Sequence, residues 1–464
     1  MMKTPATNTP GPASTKRSRA AAQGAFLGFI VDNVDIYLPV VVLTPALGYF
    51  IPPTMDPATR GLVISWIFVA TLIARPLGAL IFGHLADRIG RKRSTMIAIA
   101  GFGVGTLLIA LLPGYQQWGT AAVVVLVVLR FVDGVFLGGE YSGANVLAME
   151  ESPPAKRGLV GGLIQSGSPI AFVILTGLTL LMFQISPTGG VDSAYSQWGW
   201  RVLFVFGSML AFIFVYYYKS HVQESSVWQK SEGSRATRAP LTANALRGFV
   251  QIFVLMTGLW FLLNTITAVM PLVMRSQLLL TNTQIAAVQL VMFASLAVVL
   301  PLGGALSQLL GRRRYLTVTG LLALLIGSGT YYLLIHTAPR NAGLAILWAS
   351  AATVFAVAPW ACVVPYLTES FRTEHRGLGY GLGYSLAVVI PSFYATYQLW
   401  LTNWFPASDT VLALVAVGAL RVIIGALAGK ETRDVNLDDS ATNTEPPPFR
   451  EVRSPQATAS LAKE

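Results

Sequence analysis

Uninterrupted apolar stretches recur along almost the whole chain, each close to the roughly 20 residues a helix needs to cross about 30 Å of hydrocarbon at 1.5 Å per residue. Twelve can be counted, at 24–50, 61–84, 95–113, 120–147, 158–184, 200–218, 248–273, 284–308, 315–336, 342–366, 377–400 and 407–429. A soluble core cannot absorb that much apolar length, and the 54% hydrophobic content and mean hydropathy of +0.60 agree. The ten-residue alternation of a transmembrane barrel is absent, so backbone groups must be satisfied within helices. The sequence predicts an all-α integral membrane protein with twelve transmembrane helices.

Lys and Arg set the expected orientation, because connections that remain in the cytoplasm retain positive charge. Lys3, Lys16, Arg17 and Arg19 precede the first span, and basic residues cluster again in connections 2–3, 4–5, 6–7, 8–9 and 10–11. The alternate connections hold little beyond Arg60, Arg201, Arg275 and Arg340. Both termini are therefore expected in the cytoplasm, in a multi-pass protein of the cell (inner) membrane. The net charge of +11 follows from this topology and calls for no nucleic-acid partner. The first span is too long, and lacks a cleavage site, to read as a removable signal.

The stretch GHLADRIGRKR, Gly83 to Arg93, is nearly repeated as GALSQLLGRRR at Gly304 to Arg314, a shift of 221 residues. Glu150 and Glu369, and Arg157-Gly158 and Arg376-Gly377, are each 219 residues apart. Landmarks at nearly one offset imply two pseudo-symmetric six-helix bundles with the substrate path between them. The expected divisions are a cytoplasmic tail at 1–23, bundles at 24–218 and 248–429, a cytoplasmic linker at 219–247 and a disordered tail at 430–464 rich in proline and polar residues.

GHLADRIGRKR resembles the loop 2–3 signature of the major facilitator superfamily. LRFVDGVFLGGEYSGANVLAMEESPPAKRG, at 129–158, resembles the superfamily's metabolite:proton symporter branch, near the sugar porters. QSGSP from Gln165, WGWR at 198–201, Glu224-Ser225, GYSLA at 383–387 and KETR at 430–433 extend the resemblance over most of the core. It implies transport by alternating access. It also implies an intracellular latch, in which Gly83 lets helices approach, Asp87 faces a helix N-terminus, and Arg88 and Arg91 pair with acids. Glu140, Arg157 and Arg376 are assigned to the same latch. In the second copy Gln308 replaces the aspartate, so its dipole contact is expected to be weaker.

Charges inside the membrane are the candidates for chemistry, since hydrocarbon makes them expensive. Asp32 and Asp35 stand three residues apart on one face of the first span. Arg130, Asp133 and Glu140 fall within an arc of about 80° on the fourth. Asp32, Asp35 and Asp133 are candidates for carrying a coupled proton, and Arg130 for gripping a carboxylate or holding the acids ionised. A static Asp–Arg network is the alternative. The resemblance leads one to expect Gln where this chain has Asp133, an extra acid that either neutralises Arg130 or is itself the coupling group. Tyr37, Gln165, Trp260, Asn264 and Tyr384 are candidates for orienting a small polar solute.

The four histidines are scattered, Cys362 is the single cysteine, and no P-loop occurs, so the sequence offers no metal site, no cofactor and no catalytic constellation. The expected activity is secondary active transport of a small organic acid or zwitterion with protons, in a lipid bilayer, by an architecture that works as a monomer. A uniporter, a proton-antiport exporter or a non-transporting sensor are the alternatives.

Overall fold

A computed structural model describes residues 12–52, 54–231, 243–372 and 376–437. Among the described residues there is no strand, and twelve helical stretches are long and apolar enough to cross a membrane. Spans 1 to 6 run Thr15–Tyr49, Trp66–Ile89, Arg91–Ala110, Thr120–Glu150, Pro154–Ile185 and Tyr195–His221. Spans 7 to 12 run Leu246–Ser276, Thr283–Leu310, Arg312–Thr337, Ala342–Ser370, Arg376–Leu401 and Thr410–Ala428. The all-helical, twelve-span, two-bundle expectation is borne out. Span 4 packs on spans 2 and 3, and span 12 on spans 7 and 9, while spans 2 and 11 and spans 5 and 8 join the bundles.

The end of the molecule carrying the Gly83–Arg93 and Gly304–Arg314 segments, here the basic end, is closed. There a Cβ added to Gly83 of span 2 would lie 2.9 Å from Cα of Leu378 in span 11, and one on Gly162 of span 5 would lie 3.0 Å from Cα of Pro301 in span 8. Glycine is the only residue that lets these backbones approach so closely. Gly83→Val is accordingly expected to prise spans 2 and 11 apart. A cysteine placed at Ser142, which faces Gly381 across the same seam, should then react faster with a soluble maleimide. An unchanged labelling rate would mean that the seam tolerates the added volume.

Only one residue joins spans 2 and 3, and one joins spans 8 and 9. Gly90 has φ +105° and Gly311 φ +91°, a conformation that side chains with a Cβ rarely adopt. Away from the basic end several helices lose regularity. Span 1 widens into a π turn at Leu38–Leu43 and tightens to 3₁₀ at Thr44–Tyr49, at Pro39 and Pro45, which lack the N–H for the helical ladder. Span 7 widens into a π turn at Thr265–Val269 before Pro271 and resumes as α-helix, and span 11 is interrupted at Leu386–Val388. At membrane depth such backbone persists where it is buried in protein or lines a cavity.

Two expectations for the connecting segments need correction. Helix begins at Pro12, inside the expected N-terminal tail, and Arg17 pairs with Glu151 at 3.0 Å. The tail expected to be disordered from residue 430 instead packs over its first residues: Thr432 and Leu437 are buried, and Val435 O accepts a hydrogen bond from Arg157 at 2.8 Å. The buried arginines at the basic end need acceptors, and this segment supplies them. The remainder, 438–464, lies outside the described residues, as do 232–242 of the expected linker.

Candidate functional site

The charged faces of spans 1 and 4 meet as their spacing suggested. The Arg130 guanidinium donates to Asp35 at 3.2 Å and to Asp133 one turn along its own helix. Thr106 of span 3 donates to Asp35 from the other side. All four side chains are buried, so one cation is shared by two acids and three helices are tied together through it.

Asp32 stands apart from that network. It is fully buried, and neither carboxylate oxygen has a hydrogen-bond partner among the described residues. Against this part of span 1 stands Tyr141 of span 4, whose ring lies 6.2 Å from that of Phe29, and against Tyr141 stands Arg75 of span 2. Arg75 is itself buried, leaves Nε and Nη2 without partners among the described residues, and lies 5.9 Å from the Tyr141 ring centroid, within cation–π range. The sequence reading missed Arg75, although its signal was present: a lone cation inside the apolar run VATLIARPLGALIF.

Tyr141 carries this polar centre to the second bundle. Its ring lies 4.5 Å from that of Tyr384, which in turn lies 5.3 Å from Trp260 and 5.9 Å from Trp360. The Trp260 indole donates to the Tyr384 carbonyl at 2.9 Å. Gln165 crosses between bundles, donating to the Trp360 carbonyl at 3.3 Å while its Oε1 has no partner among the described residues. Tyr37 pairs with Ser168 at 3.0 Å beside the stacked Phe172 and Phe293, a second bundle-to-bundle contact. Asn264 does not join this group. Its amide donates to the Pro391 carbonyl at 3.1 Å, satisfying backbone freed by the break in span 11.

At the basic end each bundle repeats one arrangement. In the first, Asp87 pairs with Arg91, and Glu150 accepts from Arg376 at 2.8 Å and faces Arg91 at 3.7 Å, with Ser225 as a third donor. Glu224 accepts the Arg91 backbone N–H at 2.9 Å, capping span 3. In the second, Arg312 forks onto Glu369 at 3.2 and 3.3 Å, and Glu431 accepts the Arg312 backbone N–H at 2.8 Å. Asp87 lies against Gly377 at the start of span 11. Its counterpart Gln308 still accepts the Gly158 N–H of span 5 at 3.1 Å and a hydrogen bond from Arg312 at 2.7 Å. The geometry of the second copy is retained with a neutral acceptor.

Glu140 and Arg88 are not in this clamp. Glu140 lies ten residues before Glu150, about 15 Å along the helix, and packs over Gly28 of span 1. Arg88, one residue on from Asp87, is turned outward and exposed. The acid that serves the clamp is Glu150, which the sequence marked only as a repeat landmark.

Residues 49–249 match the family described as Sugar (and other) transporter, and 249–462 match the Major Facilitator Superfamily. The chain is 29% identical to the inner membrane metabolite transport protein YhjE of Escherichia coli K12, over 89% of this chain and 94% of that one. It is 30% identical to a citrate-proton symporter of Salmonella typhi, over 80% and 86%. The proton:xylose symporter XylE, in complex with 6-bromo-6-deoxy-D-glucose, shares the fold with a TM-score of 0.74 at 16% identity, over 92% of this chain and 99% of that one. The chain belongs to the major facilitator superfamily. It is a multi-pass membrane transporter of metabolites and not an enzyme.

Proposed function

We propose that the protein moves a small organic acid or zwitterion across the membrane together with protons, with its basic end in the cytoplasm. The observation that carries this reading is that two charged side chains of the first bundle, Asp32 and Arg75, are buried with unmatched polar atoms among the described residues, Arg75 against the Tyr141 ring that touches the second bundle. Arg75 offers a planar fork for a carboxylate. Tyr141 beside it, and beyond that ring Tyr384, Trp260 and Gln165, provide the few polar groups on an aromatic wall that orient a small solute. Importing an anion against the membrane potential costs about 2.3 kcal/mol per charge per 100 mV, so a proton taken up on Asp32 offsets the charge that Arg75 binds. The citrate-proton symporter among the relatives supports the same class of solute.

Asp35 then belongs with Arg130, Asp133 and Thr106 as the network that fixes span 1. A second reading makes Asp35 the carrier. It is favoured by the double pairing of Arg130, because Asp133 would still counter the cation when Asp35 takes a proton.

The two readings separate in proteoliposomes screened with carboxylates and zwitterions. If Asp32 carries the proton, Asp32→Asn abolishes gradient-driven accumulation but retains counterflow, since exchange between loaded states needs no deprotonated empty carrier to return. Asp35→Asn should then weaken binding, exchange and thermal stability together. Retained accumulation with unchanged pH dependence in Asp32→Asn would transfer the role to Asp35.

A further inference from the structure

The second copy of the repeated segment borders space that its own contacts do not fill. A cavity of about 700 Å³ lies where the ends of spans 8, 9 and 12 meet at the basic end of the molecule. Leu310 closes span 8, Arg313 and Arg314 stand in the first turn of span 9, Val318 lies one turn further along it, and Leu427 is the last residue but one of span 12. Leu310, Val318 and Leu427 are all exposed. The groove therefore opens sideways at the level where hydrocarbon gives way to headgroups, with an apolar wall along the helices and a basic rim at their ends.

The acids at that rim are already committed. Glu431 accepts the backbone N–H groups of Arg312 and Arg313 at 2.8 and 3.2 Å, and those of Thr432 and Arg433 at 3.1 Å each. The amides at the start of span 9 are thereby satisfied. Asp434 is matched to Arg433, whose guanidinium donates to both of its oxygens at 3.2 and 3.1 Å and to the Leu309 carbonyl at 3.2 Å. Arg313 and Arg314 are exposed and have no acid partner among the described residues. The Arg313 guanidinium donates to the Leu427 carbonyl at 2.7 Å, which lays it across the groove from span 9 to span 12. The Arg314 side chain makes no hydrogen bond or ion pair among the described residues. Three arginines (Arg313, Arg314, Arg433) against two acids (Glu431, Asp434) leave the rim with one net positive charge.

Cations at headgroup depth beside an exposed apolar wall match a molecule with an anionic head and hydrocarbon chains. A soluble anion would use the rim and leave the wall bare, and a zwitterionic lipid would bring a second cation to a rim that is already positive. We propose that this groove binds one anionic phospholipid, its phosphodiester on Arg313 and Arg314 and an acyl chain along Leu310, Val318 and Leu427. A singly charged lipid such as phosphatidylglycerol balances the rim. Because Arg313 already reaches span 12, the bound lipid fastens spans 9 and 12 together next to Arg312, the cation of the second-bundle clamp.

The test uses the full chain in neutral detergent, titrated with phosphatidylglycerol or phosphatidylcholine, with bound lipids counted by native mass spectrometry. One phosphatidylglycerol should bind ahead of all others, and phosphatidylcholine about 25-fold more weakly, the ratio given by about 1 kcal/mol for each of two arginines near an anion. Arg313→Gln with Arg314→Gln should bring phosphatidylglycerol down to the phosphatidylcholine level. Val318→Trp, which fills the wall and keeps the charges, should also remove the tight lipid, and it gives an independent reading if the arginine variant does not fold. Lys92→Gln with Arg93→Gln, the matching positions of the first bundle, should leave that lipid bound. Equal affinity for the two lipids, or an equal loss in the first-bundle variant, would mean a diffuse basic surface and overturn the site. Displacement of the lipid by equimolar glycerol phosphate would overturn it in favour of a free anion, and tight binding retained in Val318→Trp would overturn the groove as its seat.

Discussion

Arg130→Ala is expected to abolish transport and to lower stability by about 3–5 kcal/mol, the range for stripping one partner from a buried ion pair. The guanidinium is the shared donor of Asp35 and Asp133, and without it two carboxylates lie close together in a site that excludes water. The loss should therefore show in detergent as a large drop in melting temperature, not only as lost flux. A neutral replacement of the whole group, Arg130→Met with Asp35→Asn and Asp133→Asn, should recover most of the stability while transport stays absent, because a buried ion triad can be exchanged for uncharged side chains at little cost. Normal melting of Arg130→Ala alone would show that water or another cation reaches the acids.

The second large effect is expected at the clamp. Glu150→Gln leaves Arg91 and Arg376 facing an amide where they now face a carboxylate, at the point where the first bundle grips span 11. The closed basic end should lose about 3 kcal/mol, which is roughly a hundredfold in the closed-to-open ratio. A thiol reagent should then reach a cysteine at Ser142 far faster than in the unsubstituted protein. Asp87→Asn is expected to act in the same direction, and Gln308→Ala less, since Gln308 brings no charge to Gly158. Labelling of Glu150→Gln at the wild-type rate would mean that helix packing alone holds this end shut.

The parts of the fold legible in the sequence were those set by lipid and by repetition. Twelve apolar lengths and a 221-residue echo needed no three-dimensional information, because the bilayer fixes helix length and duplication fixes the landmarks. The Asp35–Arg130–Asp133 group was legible for a related reason, as i,i+3 spacing places side chains on one helical face whatever surrounds it. Depth and facing were not. Glu140 and Glu150 lie on one helix, and only the packing of spans 1 and 11 against span 4 shows that the first belongs over Gly28 and the second under Arg376. Arg75 was hidden by an apolar run long enough to read as a featureless span. The ordered residues of the C-terminal segment were hidden by composition, since a polar segment that caps arginines resembles one that is solvated.

Proton coupling at the bundle seam is tested most directly by loading proteoliposomes with a pH-sensitive dye and adding carboxylates and zwitterions one at a time from outside. The predicted result is that at least one solute acidifies the lumen as it enters, that a protonophore abolishes its accumulation, and that Asp32→Asn removes the acidification while counterflow of the same solute persists. Entry of a solute at full rate with no proton movement in the unsubstituted protein would contradict it.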